Sequence, residues 1–284
     1  MKEQSDEGST KKSLPYDGEI ICIRGGGDIA TGVIQKFARA GMRVVVLELQ
    51  KPTAIRRTVA LSTALETGIM QVEDITSRHV SYARHNLEAC WSNGEVPVIV
   101  DPNGTHIDEI RPICVIDAIL AKRNLDTNKR MAPITIGLGP GFHAPDAVSA
   151  AIETMRGHKL GCLILHGEPL SNTGIPGVLG GKSAERVLRA PCAGIIRHRR
   201  KIGEFLKIGE VVFSVKGIDV QAPFAGILRG ILATETEVFP GMKAGDIDPR
   251  ELEKDACITI SDKARALGGA ALEAFLYIKR VKGL

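Results

Sequence analysis

Short apolar runs alternate with stretches whose apolar residues recur at helical spacing along the first two thirds of the chain. Ile20 to Arg24 is one such run, reading as a buried strand that ends in three glycines. Asp28 to Ala40 puts Ile29, Val33, Ile34 and Phe37 on one helical face, and Gly41 suits the end of that helix. Arg43 to Leu49 predicts a second buried strand, and Val80, Ala83, Leu87 and Trp91 mark another helix. Val96 to Val100 reads as a strand stopped by Asp101-Pro102. Ile113 to Ile116 reads as a further strand, leading into a helix through Arg123. Pro133 to Leu138 and Leu160 to Leu165 read as strands, with a helix from Asp146 to Met155 between them. Alternation of this kind predicts a mostly parallel sheet wound on both faces by helices.

The texture changes after Lys182. Arg189-Ala-Pro-Cys-Ala-Gly-Ile-Ile-Arg197 matches Gln221-Ala-Pro-Phe-Ala-Gly-Ile-Leu-Arg229 at an offset of 32 residues, and the match resumes at Gly209 and Gly241. A repeat this close predicts two similar β units related by a pseudo-two-fold. Ala-Pro and Gly turns between short strands resemble the biotinyl/lipoyl-like barrel-sandwich hybrid. Ser261 is placed to cap a final helix through Tyr277, in which Gly268 and Gly269 either weaken the helix or permit close packing. The expected organisation is a disordered tail over 1–18, a Rossmann-like α/β domain over 19–182, a repeated β domain over 183–250 and a helical segment over 251–284.

Composition narrows the class. The hydrophobic fraction is 44% with only 4% aromatic residues, so aliphatic side chains must fill the core. A net charge of +4 does not argue for nucleic acid. The six cysteines are scattered without a Cys-x-x-Cys pair, which fits a reducing compartment and small buried thiols. The polar start has no signal-peptide apolar region, and no run reaches membrane-spanning length, so a cytoplasmic protein away from membranes is expected.

Two regions carry candidate chemistry. Gly25, Gly26 and Gly27 lie between a predicted strand and helix, with Glu48 ending the next strand. In a dinucleotide-binding turn such glycines bring backbone N–H groups to a pyrophosphate, and the acid takes a ribose hydroxyl. Asp28 competes with that reading, because as a helix N-cap it would occupy the same donors and repel a phosphate. Arg56 and Arg57 are candidate anion donors, or a solvated pair. From Ile136 to Lys182 the chain gathers ten of its 31 glycines and three of its seven histidines, a pattern that predicts a site formed by loops. His143, Glu153, Arg156 and His158 are the candidate catalytic residues there, and Asn172 and Thr173 are candidate cofactor contacts. No two histidines have metal-ligand spacing, so no metal is expected. Lys216 lies in a connection too short for a biotin- or lipoate-bearing hairpin, and neither modification is expected.

Several strings, in order, cover nearly the whole chain after the tail. They are Ile23-Arg-Gly-Gly-Gly-Asp-Ile-Ala-Thr-Gly32, Ala54-Ile-Arg-Arg57, Asp117-Ala-Ile-Leu-Ala-Lys-Arg-Asn124 and Ile136-Gly-Leu-Gly-Pro-Gly-Phe142. Ile152-Glu-Thr-Met-Arg-Gly-His158, Asn172-Thr-Gly-Ile-Pro-Gly177, Gly245-Asp-Ile-Asp-Pro-Arg250 and Ile260-Ser-Asp-Lys-Ala-Arg-Ala266 follow. Together they resemble the YqeB-type family of accessory proteins for selenium-dependent molybdenum hydroxylases. The resemblance implies a role in maturing such a hydroxylase, with the apoprotein or its maturation machinery as partner, but transfers no catalytic residue. A molybdopterin cytosine dinucleotide carries the pyrophosphate and ribose that the glycine turn would hold. Two other readings stand beside this one: an NAD(P)-dependent oxidoreductase using the same turn, with His143 or His158 as acid/base, and a scaffold whose β domain docks the hydroxylase. The oligomeric state is left open.

Overall fold

The computed structural model describes residues 18–174, 177–250 and 255–284. The expected tail over 1–18 lies almost wholly outside these residues, as do Ile175 and Pro176 of the central loops. In chain order, β1 (Ile20–Arg24), α1 (Asp28–Arg39) and β2 (Arg43–Glu48) open the fold. A short α2 (Ala64–Thr67) and the strands β3 (Ile69–Val72) and β4 (Ile75–His79) follow. Next come α3 (Arg84–Ser92), β5 (Val96–Val100), α4 (Ile107–Ile110), β6 (Cys114–Asp117), β7 (Ile134–Leu138), β8 (Ala150–Ile152) and β9 (Leu163–Ile164). These nine strands form one sheet in the order β3-β4-β5-β2-β1-β6-β7-β8-β9. From β4 across to β8 every pairing is parallel, while the edge strands β3 and β9 are antiparallel to their neighbours.

The strands are buried because both faces are covered. Ile21, Ile23, Val44 and Val46 point to the face packed by α1 and the C-terminal helix. Ile20, Cys22, Val45 and Leu47 alternate to the opposite face, where Leu87 of α3 and Ile107 and Ile110 of α4 pack.

Two expected helices are absent. The segment expected to run helically through Arg123 is an irregular connection in which Leu120, Lys122 and Asp126 have positive φ. Ala150 to Ile152, expected within a helix, is instead the fully buried strand β8, paired in register with β7. Its alanines favour a helix locally, but the chain here fills the open edge of the sheet, and strand pairing overrides propensity. The strand expected from Leu160 to Leu165 shortens to β9, and the β3–β4 hairpin went unanticipated.

The second unit contains β10 (Val187–Arg189), β11 (Gly194–His198), β12 (Phe205–Leu206) and β13 (Val211–Val215). It continues with β14 (Ile218–Gln221), β15 (Gly226–Ile231), β16 (Glu237–Val238) and β17 (Lys243–Asp248). The sequence repeat maps β10–β13 onto β14–β17. One four-stranded sheet runs β10-β17-β15-β12 and the other β14-β13-β11-β16, so each takes its inner strands from one repeat and its outer strands from the other. Ala190 and Ala222 are buried at equivalent positions of a separate core built on Phe213, Leu228 and Ile247. Lys216 is exposed at the two-residue tip between β13 and β14, beside Gly217, and both residues have positive φ.

The chain ends in α5 (Asp262–Lys282), which returns to the large sheet and lies along α1. Phe37 and Phe275 meet edge to face with centroids 5.7 Å apart. The Ser261 side chain accepts from the Ala264 N–H at 3.3 Å, the expected cap. Ser261→Ala should therefore cost about 1 kcal/mol, read as a lower urea midpoint with an unchanged slope.

Candidate functional site

The two units meet at the carboxyl edge of the large sheet. Ile231 N–H of β15 donates to Ile55 O at 2.8 Å, and Arg57 Nε donates back to Ile231 O at 3.0 Å. A cleft of about 800 Å³ opens beside this junction. One wall comes from loops at the carboxyl edge of the parallel strands: Arg56 after β2, Lys122 after β6, Pro140 after β7 and Glu153 to Arg156 after β8. The start of α1 adds Asp28 and Ile29. The opposite wall comes from the β unit, through Arg186, Arg189, Arg229, Lys243 and Asp246. Ser261 and Lys263, at the start of α5, close one end. Ligands of open parallel sheets collect at this edge.

The charge of the cleft is its main chemical property. Among the described lining residues, eight Lys or Arg side chains face three carboxylates. Low-dielectric walls concentrate that field on whatever enters. Burial, then Lys122 and Arg156, lower the Lys263 ammonium from 10.5 to about 8, against the opposing pull of Asp28 and Glu153. Desolvation, followed by Lys243, lowers Lys122. Desolvation also lowers Arg229, with Arg56 the next cause. Burial is the largest cause in all three, with neighbouring cations adding to it; Arg56, Arg156, Arg186 and Arg229 each face a carboxylate, so the lining cations without an ion pair among the described residues are Lys122, Arg189, Lys243 and Lys263.

The glycine turn is closed on its own chain. Gly26 N–H donates to Glu48 Oε2 at 2.7 Å, so the carboxylate expected on a ribose hydroxyl holds the donor expected on a phosphate. Burial pushes the Glu48 carboxyl up, and the N–H groups of Leu49 and Gly26 pull it back. A Cβ on Gly25 would come within 3.0 Å of Ile119 backbone, and one on Gly26 within 3.0 Å of the Ser62 side chain. These two glycines admit neighbouring residues of the same chain. Gly27 is the N-cap of α1 and Asp28 its first residue, which corrects the placement of Asp28 as cap. Asp28 Oδ2 instead lies 3.3 Å from Arg56 Nη1.

The other candidates divide. Arg56, Glu153, Arg156, Asn172 and Thr173 line the cleft, and Pro140, Gly174 and Gly177 of the glycine-rich region from Ile136 to Lys182 line it with them. Glu153 is buried and accepts from Met155 N–H at 2.6 Å and Leu170 N–H at 2.8 Å, fastening two of those loops. Arg156 forms a two-pronged pair with Asp262 at 2.8 and 3.0 Å, tying its loop to the start of α5. That pair, with burial opposing it, raises Arg156 and holds Asp262 well below the usual carboxylate range. His143 is exposed beside Asp146 at 3.1 Å, and His158 is exposed; neither lines the cleft. Arg57 also lies outside it, holding the β unit. Among the described residues no three His, Cys, Asp or Glu side chains converge on a metal position.

Sequence reasoning missed Lys122, Arg186, Arg229, Lys243, Asp246 and Lys263. A signal for part of this set lay in the repeat. At the 32-residue offset, Lys243, Asp246 and Asp248 stand where the first copy has Val211, Ser214 and Lys216. Arg197 of the first copy pairs with exposed Glu235 at 2.9 Å, whereas its equivalent Arg229 enters the cleft beside buried Asp248 at 3.2 Å. Both copies supply cations to the cleft, Arg186 and Arg189 from the first and Arg229 and Lys243 from the second, and at three of these four positions the other copy is uncharged (Ile218, Gln221 and Val211), so divergence between the copies marks the cleft wall.

No family model matches the chain. It is 45% identical over 268 residues to the uncharacterized protein YqeB of Escherichia coli (strain K12), covering 94% of this chain and 49% of that protein. The chain thus spans about half the length of the curated relative it matches. Among solved structures, an aspartoacylase family protein from Mesorhizobium loti aligns with TM-score 0.26 and 10% identity, over 84% of this chain and 87% of that one. A succinylglutamate desuccinylase from Silicibacter sp. TM1040 aligns with TM-score 0.24 and 11% identity, over 82% and 85%. Likenesses at these scores carry no argument about fold or activity.

Proposed function

The chain belongs to the YqeB-type family, and from that premise we propose that it serves the maturation of selenium-dependent molybdenum hydroxylases by holding a phosphate-bearing dinucleotide. The ligand we propose is of the molybdopterin cytosine dinucleotide type, and its place is the cleft between the two units. The observation that carries this reading is the excess of cations over carboxylates lining that cleft. It moves the phosphates away from Gly26, whose N–H is already bonded, and onto Arg56, Lys122 and the β-unit residues. Asn172 and Thr173 would face the uncharged part of the ligand.

Finer readings of the fold join the proposal. The run β5-β2-β1-β6-β7-β8 of parallel strands, with the order reversing at β1, supports a Rossmann-like description of the large sheet. The exchange of inner and outer strands between repeats supports a barrel-sandwich-hybrid description of the β unit. Separate cores support domains at 19–182 and 183–250. No helix among the described residues is long and apolar enough to cross a membrane. The scattered cysteines support a cytoplasmic setting.

Native mass spectrometry of protein taken from its own host, followed by calorimetric titration with the pterin dinucleotide, NAD and NADP, tests this reading. The expected result is binding of the pterin dinucleotide, weakened on the order of 100-fold in Lys122→Ala/Lys263→Ala. Exclusive binding of NAD(P) with hydride turnover, or binding that the double variant leaves unchanged, would reject it.

A further inference from the structure

We infer that Arg186 and Asp246 read the base of the cleft's ligand, selecting one that presents an amine beside two acceptors, the edge of cytosine, over one with the keto edge of uracil. This inference rests on the proposed dinucleotide-holding role and assigns the choice of base to two residues of the β unit.

Both side chains line the cleft and both are buried, Arg186 being 7% exposed and Asp246 6%. Neither is satisfied within the described residues. Arg186 Nε and Nη1 have no acceptor, and Asp246 Oδ1 has no donor. Arg186 Nη2 stands 3.6 Å from Asp246 Oδ1, beyond a hydrogen bond. Other arginine–carboxylate pairs of this protein close further: Arg156 meets Asp262 at 2.8 Å, and Arg250 meets Asp248 at 2.8 Å. Buried charged groups left without partners are costly, and a ligand in the cleft would complete these two.

The repeat argues that the pair is not scaffolding. Val187 lies opposite Asp246 in the β10–β17 ladder, as Asp219 lies opposite Ser214 between β14 and β13. The 32-residue offset thus carries Arg186 and Asp246 onto Ile218 and Ser214. Ile218 is exposed and Ser214 buried, with no charge at either place. The β unit folds there without such a pair.

The chemistry of the two groups selects what they meet. A guanidinium only donates and a carboxylate only accepts. A phosphate at Arg186 would be repelled by the carboxylate beside it, so phosphates stay with Lys122, Lys263 and the other lining cations. Burial pushes the Asp246 carboxyl up, and Lys243, Arg186 and Arg229 pull it back, favouring the charged acceptor. A turn of the Arg186 side chain presents two parallel N–H donors next to that acceptor. Cytosine matches this order, because its O2 and N3 accept and its N4 amine donates to a carboxylate. Uracil carries a donor at N3 and an acceptor at O4, and meets the same groups with two mismatches.

CMP and UMP share every phosphate and sugar contact, and calorimetric titration into the purified chain compares them. CMP should bind on the order of 10- to 100-fold more tightly. Removing one partner alone would strand the other's charge, so the test variant is Arg186→Ile/Asp246→Ser, the residues at the equivalent places of the repeat. It should bind CMP and UMP alike, at the parent's level for UMP, with its fold checked by circular dichroism. Asp246→Asn keeps the shape, adds an amide donor and should narrow the gap by raising UMP affinity; if the double variant does not fold, an unchanged gap in Asp246→Asn overturns the inference. Equal binding of CMP and UMP by the parent would overturn it and leave the dinucleotide-holding role standing. A preference for CMP that survives in the double variant would take the reading away from Arg186 and Asp246. If neither mononucleotide binds measurably, the pterin cytosine dinucleotide is the probe, and a double variant that binds it as the parent does overturns the inference alone. Failure of the dinucleotide as well would overturn both.

Discussion

Gly32→Ala should detach α5 from the large sheet and destabilise the protein by more than 3 kcal/mol. At the crossing of α1 and α5 the helix backbones touch, with glycine on each side. A Cβ on Gly32 would fall 2.5 Å from the Ala264 carbonyl carbon, and one on Gly268 would fall 2.7 Å from the Gly32 carbonyl carbon. Neither obstacle is a side chain that swings away; both are helical backbone. The axes must separate, and separation opens the layer in which Phe37 packs on Phe275 and Ile278, Ala271 and Ala274 cover the strands. Overpacking in a core typically costs 1–3 kcal/mol, and a backbone obstruction lies above that range. Gly269→Ala is the control: a Cβ there meets nothing within 4 Å, and replacing a mid-helix glycine should stabilise by about 0.5–1 kcal/mol. Urea denaturation of the three proteins decides it. A Gly32→Ala midpoint close to the parent's would show that the helices do not lie as described.

The α1–α5 contact also shows where sequence was legible. Ser261 as a cap could be predicted because it needs only a local pattern and one neighbouring turn, whereas for Gly268 and Gly269 the sequence leaves weakening and close packing open, and only the contact with Gly32 of α1 assigns close packing to Gly268. As legible as the cap are β1, β2, β5, β6 and β7, whose apolar runs and glycine stops leave little choice. β8 was misread because its alanines are helix formers, and only the neighbouring strand β7 explains why they are extended. The glycine turn was correctly placed between strand and helix, yet the pattern does not say what comes close to a glycine. Here Ile119 and Ser62 do, and Glu48 takes the free N–H. The cleft was half-visible. Its loops were legible from glycine density, while Lys122, Arg186, Lys243 and Lys263 come from elements that only the fold brings together. The repeat held the missing clue, in the positions where the copies differ.

Lys263→Glu should weaken binding of a phosphate ligand by two to three orders of magnitude, and the parent's affinity should fall above pH 8. Lys263 is half-buried at the start of α5, where the helix end itself disfavours a positive charge. Burial, Lys122 and Arg156 lower its ammonium to about 8, so at neutral pH it is charged but readily loses its proton. A bound phosphate favours the charged form and raises that value, so binding takes up a proton near pH 8. Affinity should be level just below pH 8 and decline above it, by up to tenfold per unit until the value in the complex is reached. A monophosphate probe has its own second ionisation near 6 and should also bind more weakly at the acid end, whereas a pyrophosphate-linked dinucleotide has no such ionisation and should show only the alkaline decline. Replacing the ammonium with a carboxylate beside Glu153 and Asp28 removes an attraction and adds a repulsion, about 3–4 kcal/mol together. Lys263→Met separates charge from titration: it should bind more weakly than the parent at pH 7 and lose the decline above pH 8. Folding follows the opposite sign. A lysine with a lowered folded value binds fewer protons when folded, so its contribution to stability rises with pH between about 8 and 10.5, and Lys263→Met should flatten that rise. An alkaline loss of affinity that persists unchanged in Lys263→Met would assign the titration to another group.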